Sequence, residues 1–395
     1  MPFTIKTLNN ISKAGLAELN ADGFVIDNDA ADPDGIVLRS ADLHSAPIPE
    51  NVKGIARAGA GVNNIPVDEC TKRAVVVFNT PGANANGVKE LVVAAMLLSS
   101  RRIAEGIEWA RSIADKGDEV PALIEKEKKR FAGPEIAGKT LGIVGLGAIG
   151  VMVANAASEL GMNVVGYDPY ISVSAAWGLR RSVKRAKTMD ELLSGADYLT
   201  VHAPLTDKTK GLIGKEELAK AKRGVRVVNF ARAGLVDEDA ILEALDDGRV
   251  SRYATDFPTG RLIGHPEVLP IPHLGASTPE SEDNCAIMAA RQLREFLATG
   301  NITNSVNFPE CSMPLSDDYR IVIANRNIPN MVGQITQVLA EENANIADMI
   351  NRHKEDVAFN IIDLDSEISE ASVEKLRAID GVIGVRVIGR TNGLL

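Results

Sequence analysis

Short apolar segments alternate with amphipathic segments along most of the chain, and this alternation predicts an α/β fold. Apolar runs closed by turn or polar residues are typical of buried strands, whereas apolar positions three and four apart indicate helices. The first part of the chain reads as a small α/β layer. Its predicted strands lie at 3–7, 23–26, 35–38 and 75–78, and a strongly apolar helix is expected at 88–102.

From about residue 138 the alternation becomes regular. Each apolar run is followed by a helical pattern, which is typical of a parallel, doubly wound sheet of the Rossmann type. The predicted strands are 140–144, 162–167, 198–202, 225–230 and 252–256; the predicted helices are 151–160, 188–193, 216–221 and 238–247.

The C-terminal part follows a proline-containing loop at 301–318 and has a different order. Strand, helix, strand, strand, helix, strand is the βαββαβ order of a ferredoxin-like domain. The strands are expected at 319–324, 345–351, 357–364 and 382–388, with helices at 331–342 and 370–378.

The segment 103–137 is charged. A helix is expected at 103–129, interrupted by Pro121. Its basic residues fit a solvated face, and the alternative is that they reach across a dimer toward an acidic substrate. These residues are Lys126, Lys128, Lys129 and Arg130.

Charge and cysteine content narrow the class of protein. The 395 residues include 43 Lys and Arg against 53 Asp and Glu, a net charge of −10, which argues against nucleic acid or an anionic membrane as a partner. Cys70, Cys285 and Cys311 are far apart and suggest neither disulfides nor a metal site. No signal peptide or membrane-spanning stretch is seen, so a cytoplasmic protein is expected.

A dinucleotide site is predicted where the apolar run 140–144 enters a GxGxxG motif that opens a helix. Its glycines allow a tight turn, close approach of a pyrophosphate and close packing of helix on strand. Asp168, at the end of the next run, can bind both ribose hydroxyls and favours NAD over NADP. The motif residues are Gly145, Gly147, Ala148, Ile149 and Gly150.

Two side chains are candidates for the interconversion of a 2-hydroxy acid and a 2-keto acid. His273, in a loop bounded by proline and glycine, can carry a proton near neutral pH. Arg232 follows the run 225–230 and can grip a carboxylate with two bonds, although an ion pair with Asp237 or Glu238 is the plain alternative. His202 also ends a strand and is interpreted as a packing residue of the cofactor loop.

Five motifs, in this order, resemble the D-isomer-specific 2-hydroxyacid dehydrogenase family, and specifically its members with a C-terminal ACT regulatory domain. They are RAGAGVNNI (57–65), NTPGANANGVKEL (79–91), LGIVGLGAIG (141–150), NFARAGLVDEDAIL (229–242) and PHLGAST (272–278). The resemblance covers nearly the whole chain. It implies NAD-dependent oxidation of 3-phospho-D-glycerate to 3-phosphohydroxypyruvate, the first step of L-serine biosynthesis.

The resemblance also implies a domain plan and residue roles. The substrate-binding domain would be discontinuous, 1–98 and 276–302, with the NAD-binding domain at 99–275 and the ACT-like domain at 318–395. Arg232 would hold the carboxylate and carbonyl, and His273 would be the acid/base. Substrate would also contact Arg57, Ala58, Gly59 and Gly61, and the NAD site would include Thr80, Ala203, Ala231, Asp256, Gly275 and Ala276.

One departure from the family concerns His273. The family has a glutamate in an Asp-x-x-x-x-Glu-Pro pattern, which bonds the histidine and raises its pKa. Here the sequence after Asp256 holds no glutamate at that spacing, and Glu267 is too close to His273 in sequence to be the same residue. The partner of His273 is therefore expected to be missing, moved, or replaced by Asp256 or water.

The C-terminal block resembles a domain that binds L-serine between two subunits. Asn327 and Asn345 stand at ligand-binding asparagine positions, and Asn325 replaces a histidine. Amide groups of this kind can satisfy a small amino acid, and a dimerisation module without a ligand is the alternative. The family implies a homodimer or homotetramer.

Two other functions stay open at this stage. The same chemistry could act on glyoxylate, hydroxypyruvate or 2-hydroxyglutarate, because fold and family do not fix a substrate. The family also contains NAD-sensing corepressors, and the missing glutamate gives that alternative some weight, whereas Arg232, His273 and the acidic balance favour an enzyme.

Overall fold

The computed structural model describes residues 2–20, 23–314 and 319–390. The predicted ends of the ACT-like domain at 318 and 391–395 lie outside the described residues. The chain forms two compact units: Met1–Ala83 with Glu282–Leu395, and Asn84–Ser281. Within the described residues, no helix is long and apolar enough to cross a membrane.

The first unit begins with a five-stranded parallel sheet, in the order β2-β1-β3-β4-β5. The strands match the predicted apolar runs, and β4 is an additional strand that the pattern did not indicate. The bounds are β1 (Phe3–Leu8), α1 (Lys13–Leu19), β2 (Phe24–Ile26), β3 (Gly35–Leu38), β4 (Gly54–Arg57), α2 (Val67–Lys72) and β5 (Val76–Phe78).

The second unit begins with helices. Pro121 stands at the first turn of a helix rather than interrupting one, because a proline has no N–H to lose there. The segment is helical as expected, and its interruption lies at residues 113–119, just before Pro121 rather than at it. The helices are α3 (Ala85–Ser100), α4 (Ile103–Ser112) and α5 (Val120–Glu127), with short 3-10 helices at Ala114–Glu119 and Lys128–Phe131.

A seven-stranded parallel sheet follows, in the order β12-β11-β10-β9-β6-β7-β8, and confirms the doubly wound prediction. From β6 the chain adds β7 and β8 on one side, and then β9 to β12 on the other. Parallel sheets of this kind bind ligands in the crevice at the point where the strand order changes side, here between β6 and β9. Its elements are β6 (Thr140–Val144), α6 (Ala148–Glu159), β7 (Asn163–Tyr167), α7 (Val173–Trp177), β8 (Lys184–Arg185), α8 (Met189–Gly195), β9 (Tyr198–Val201), α9 (Lys215–Lys220), β10 (Val225–Asn229), α10 (Glu238–Asp246), β11 (Val250–Thr255), α11 (Gly260–Ile263) and β12 (Val268–Pro270).

Helix α12 (Pro279–Thr299) then leads to a four-stranded antiparallel sheet in the order β14-β15-β13-β16. This order, with two helices packed on one face, is the ferredoxin-like arrangement and confirms that prediction. The elements are β13 (Tyr319–Arg326), α13 (Met331–Glu341), β14 (Ile346–Lys354), β15 (Val357–Leu364), α14 (Glu370–Arg377) and β16 (Val382–Arg390).

The other face of the antiparallel sheet is covered by the rest of the first unit. Val322 and Phe359 belong to the same buried cluster as Phe78, Phe296 and Phe308. The Phe308 and Phe359 rings lie 6.0 Å apart, edge to face. The two sheets of this unit therefore share one continuous core.

A buried ion pair lies at the start of β13. Arg320 Nε and Nη2 donate to the two carboxylate oxygens of Asp363 at 2.7 and 2.8 Å, and both side chains are at most 2% exposed. Arg320 also donates to the carbonyls of Thr299 and Pro314. One guanidinium thus joins β15 to the end of α12 and the segment before β13.

We expect Asp363→Asn to lower the free energy of unfolding by about 3–5 kcal/mol, because it leaves the buried Arg320 charge uncompensated. Chemical denaturation measures this change. The matched control is Glu374→Gln, which removes an exposed partner of Arg377 and is expected to cost less than about 1 kcal/mol. Equal losses of unfolding free energy for the two substitutions would contradict the stabilising role assigned to the Arg320–Asp363 pair.

Candidate active site

The glycine motif forms a tight turn between β6 and α6. Gly145 has φ +91°, and a Cβ there would lie 2.6 Å from the His202 carbonyl oxygen. A Cβ on Gly150 would collide with the Gly145 carbonyl. Gly147 differs, because a Cβ there would meet nothing within 4 Å. Two glycines are therefore required by the fold, and the third leaves open space beside the helix.

The first turn of α6 has the features of a pyrophosphate site. Gly147 is its N-cap and supplies no side-chain cap, so the first N–H groups, including those of Ala148 and Ile149, have no capping side chain. Unpaired N–H groups and the positive end of the helix dipole favour an anion there. The open space at Gly147 is where a phosphate would approach, so the residues fit NAD.

Asp168 follows β7 and faces this turn. Its carboxylate oxygens accept the N–H of Leu146 and the N–H of Tyr170, each at 2.8 Å. A carboxylate has lone pairs beyond these two, so it can still accept from ribose hydroxyls. The position fits the prediction of an NAD ribose ligand.

The other predicted residues of this unit stand at the same edge of the sheet. In a parallel sheet all strands end at one edge, and ligands bind beyond it. Ala203 follows β9, Ala231 and Arg232 follow β10, Asp256 follows β11, and the segment with His273, Gly275 and Ala276 follows β12. The fold thus brings together residues that are far apart in sequence.

Arg232 is exposed and forms no ion pair with a carboxylate of the described residues. Its Nη1 donates to the Ala231 carbonyl at 2.7 Å, and the Asn229 amide donates to the Arg232 carbonyl at 3.0 Å. Within the described part of the chain it makes no ion pair with Asp237, which caps α10, or with Glu238, which pairs with Arg261. The guanidinium therefore keeps donors for a substrate carboxylate.

Asp256 is a buried carboxylate whose nearest polar surroundings are the backbone N–H groups of Asp256 and Gly275 and the charges of His273 and Arg232. It is 2% exposed, and neither carboxylate oxygen has a hydrogen-bond partner among the described residues. Burial raises the pKa of Asp256, and the nearby charges of His273 and Arg232 oppose that rise. An unpaired buried carboxylate is costly, which is a feature of functional rather than structural positions.

His273 is exposed, and its ring packs on Phe257 with the ring centres 4.8 Å apart. Across the described residues no hydrogen bond orients either ring nitrogen. Glu267 is engaged elsewhere: it pairs with Arg102 and, at 3.0 Å, with Arg252. The family glutamate is therefore not replaced by a bonded carboxylate. Phe257 was missed by the sequence reasoning, although it directly follows Asp256.

His202 is a neutral packing residue. Burial lowers the pKa of its imidazole to about 4. Its Nε2 lies 3.1 Å from the Thr200 hydroxyl. It cannot serve as a proton carrier near neutral pH, which agrees with the packing interpretation.

The predicted substrate residues lie in the first unit, at the end of β4 and in the loop that follows it. Arg57 Nε donates to the Arg39 carbonyl at 3.1 Å, and its guanidinium lies against Gly59. Thr80, predicted for the NAD site, is fully buried in this unit, and its N–H donates to the Gly59 carbonyl at 3.1 Å. The segment from Ala58 to Gly61 therefore forms one loop with Arg57. The roles of these residues stay predictions.

The three predicted effector asparagines have different surroundings. Asn325 is 1% exposed and accepts from Asn360 at 2.7 Å. Asn327 is exposed and donates to the Glu355 carbonyl at 3.0 Å, and Asn345 is exposed beside Asp365. Their effector role stays a prediction. Among the residues described, no cluster of metal-ligating side chains occurs.

Comparison with known families identifies the second unit. Residues 93–275 match the model for the D-isomer specific 2-hydroxyacid dehydrogenase, NAD binding domain. This segment holds the seven-stranded sheet, the glycine turn and His273. Residues 93–275 are therefore similar to the NAD-binding domain of that family, and NAD is the cofactor.

Similar proteins cover more of the chain. The D-3-phosphoglycerate dehydrogenase of Bacillus subtilis (strain 168) is 33% identical over 360 residues, 86% of this chain and 65% of that protein. The enzyme of the same name from Methanocaldococcus jannaschii is 34% identical, over 81% of this chain and 60% of that protein. The chain thus spans less than two thirds of the length of these relatives.

Among solved structures, an NAD+-bound 3-phosphoglycerate dehydrogenase of Entamoeba histolytica is similar, with 27% identity and a TM-score of 0.58. The match covers 78% of this chain and 99% of that chain. An apo D-mandelate dehydrogenase of Rhodotorula graminis has a TM-score of 0.66 over 80% of this chain and all of that chain. At 23% identity it shows the shared fold.

Gly147→Ala tests the pyrophosphate site. Because the added Cβ meets no protein atom, we expect an unchanged melting temperature, whereas the Kd for NAD should rise about tenfold or more as the Cβ enters the phosphate space. Calorimetric titration with NAD measures this. Gly195→Ala, at another open glycine, is the control. Unchanged NAD affinity in Gly147→Ala would place the cofactor elsewhere.

Asp256→Asn tests the buried carboxylate through pH. Since the folded-state pKa of Asp256 is raised, its ionisation destabilises the fold as pH rises through that pKa. We therefore expect the substitution to raise the melting temperature at neutral pH, and the gain to fade toward pH of about 4, the ordinary aspartate pKa. Asp115→Asn, at a side chain that is 72% exposed, is the control. A lower melting temperature of Asp256→Asn than of the wild type at neutral pH would contradict this account of Asp256.

Proposed function

We propose that this chain catalyses NAD-dependent oxidation of 3-phospho-D-glycerate to 3-phosphohydroxypyruvate, the first step of L-serine biosynthesis. The observation that carries the proposal is that three features follow strands at one edge of the sheet: the glycine turn, the exposed guanidinium of Arg232 with donors to spare, and the exposed His273. The names of the relatives support the substrate.

Arg232 would hold the substrate carboxylate and the C2 oxygen with its forked donors. His273 would take the proton of the C2 hydroxyl through a ring nitrogen. NAD would accept the hydride from C2, so that the alcohol becomes a ketone and two electrons leave with the hydride. In the reverse direction His273 returns the proton to the forming alkoxide.

Asp256 would act on this proton transfer through its charge. Its carboxylate and the His273 ring influence each other electrostatically. A negative charge at Asp256 would attract the positive charge that the ring gains when it takes the substrate proton. This positioning effect stands in for the glutamate that the family pattern contains. Arg57 would bind the substrate phosphate.

The ACT-like domain would carry regulation. We propose that L-serine binds there through Asn327 and Asn345, above the buried Asn325, and that the protein assembles as a homodimer or homotetramer. The three cysteines are buried and free, and burial raises the pKa of Cys70 to about 12, which suits a reducing cytoplasm. Turnover that L-serine does not inhibit would rule out the effector role.

A related candidate is oxidation or reduction of another small 2-hydroxy or 2-keto acid. A glyoxylate reductase from Paecilomyes thermophila is 26% identical with a TM-score of 0.62. Parallel assays with 3-phosphoglycerate, glyoxylate, hydroxypyruvate and 2-hydroxyglutarate separate these substrates. Absence of turnover with all of them, together with retained NAD binding, would favour a corepressor-like sensor.

His273→Ala tests the acid/base. We expect kcat with NAD and 3-phosphoglycerate to fall by about a hundredfold or more, the usual contribution of such a residue, with the Kd for NAD nearly unchanged. Steady-state assays and NAD titration measure the two quantities. His353→Ala, at an exposed histidine of β14, should retain activity. Activity retained by His273→Ala would refute the assignment.

A further inference from the structure

A cleft of about 550 Å³ lies within the first unit, where the antiparallel sheet meets the five-stranded-sheet part. This size falls within the range of small-molecule sites. One part of its lining is apolar and comes from α12 and three strands of the antiparallel sheet. These residues are Phe296, Val322, Ala324, Phe359 and Val385.

The rest of the lining is rich in positive charge. Four cationic side chains line the cleft against two carboxylates, Glu50 and Glu370. Two of the cations are already neutralised: Lys53 pairs with Asp34, and Arg377 pairs with Glu370. The four cations are Lys53, Arg73, Arg377 and Arg386.

Arg73 and Arg386 have no such partner. In the described part of the chain, neither makes an ion pair. Arg73 donates to the carbonyls of Ile48 and Pro49, each at 2.8 Å. Arg386 donates to the carbonyls of Phe296 and Leu297, and its guanidinium lies 4.5 Å from the centre of the Phe296 ring.

The charge on Arg386 is poorly compensated. Burial lowers the pKa of Arg386 to about 10, and the one carboxylate that opposes this is Asp34, which is bound to Lys53. Buried charges in proteins are ordinarily paired, because an uncompensated one is costly. Arg73 and Arg386 form no ion pair among the described residues, and four cations against two carboxylates leave the lining with an excess of positive charge, which predicts an anion from outside the chain.

We propose that this cleft binds a small organic anion, with its carboxylate or phosphate on Arg73 and Arg386 and its apolar part on Phe296. The forked guanidinium suits both oxyanions. The cleft lies apart from the predicted serine asparagines and uses none of the proposed catalytic residues. It is a second ligand site that goes beyond the proposed function.

The ligand would join two parts of the unit. Arg73 follows α2, next to the five-stranded sheet, whereas Arg386 belongs to β16 of the antiparallel sheet. A ligand that binds only the folded arrangement stabilises it in proportion to the logarithm of its concentration. The site therefore gives a metabolite a means of fixing the ACT-like domain on the substrate-binding part.

The test uses the full chain and two probes, phenyl phosphate and inorganic phosphate, by calorimetric titration. Phenyl phosphate should bind about tenfold tighter or more, since its ring adds apolar burial to the charged group. Benzoate in place of phenyl phosphate distinguishes a carboxylate from a phosphate head group. Equal affinity for phenyl phosphate and inorganic phosphate would overturn the proposed contact between the apolar part of the ligand and Phe296.

Val387 supplies a charge-specific pair of variants. It lines the cleft and is 41% exposed, so a polar residue is tolerated there. Val387→Glu adds a carboxylate to the lining of the cleft and should weaken phenyl phosphate binding through charge repulsion, whereas the matched Val387→Gln should change it less than about twofold. Equal affinities of the two variants would overturn the site.

Two further variants separate the alternatives. Arg386→Lys keeps a positive charge but loses the fork, and should weaken phenyl phosphate binding; it also loses contacts to the Phe296 and Leu297 carbonyls, so its melting temperature should fall as well. Arg232→Met removes the proposed substrate guanidinium and should leave this binding intact. If Arg232→Met abolishes phenyl phosphate binding, the probe occupies the proposed active site and the cleft proposal fails, whatever the outcome for turnover.

Discussion

The parallel course of the seven-stranded sheet is the constraint on which the candidate site depends. Because every strand ends at the same edge, residues between positions 145 and 273 meet there although the sequence separates them widely. The reversal between β6 and β9 divides this edge into two parts. The glycine turn and Asp168 stand on one side, and Arg232, Asp256 and the His273 segment follow strands on the other.

The surroundings of His273 distinguish this chain from the family pattern. Its ring packs on Phe257, and the nearby Asp256 is buried with unpaired oxygens instead of a glutamate bonded to the histidine. A buried carboxylate of this kind lowers the stability of the fold, and functional sites commonly keep groups that are destabilising. In the proposed mechanism, the buried charge of Asp256 takes the place of a direct bond to the proton carrier.

Elements with strong periodicity could be predicted from the sequence, and the rest depended on tertiary packing. The run 140–144, the glycine turn and the βαββαβ order are correct because pattern and turn chemistry agree there. Strand β4 was missed: Gly54 has little strand preference, and it is stabilised by close packing of Leu293 and Phe296 against it. The surroundings of His273 and the lining of the cleft at Arg386 could not be predicted, because they bring together residues that are distant in sequence.

The central claim is that a hydride moves from C2 of a 2-hydroxy acid to NAD at this sheet edge. Incubation with 3-phospho-D-glycerate deuterated at C2, followed by mass spectrometry of the nicotinamide product, tests it most directly. The account predicts that each NADH formed carries the deuterium. Unlabelled NADH, or no NADH at all, would contradict it.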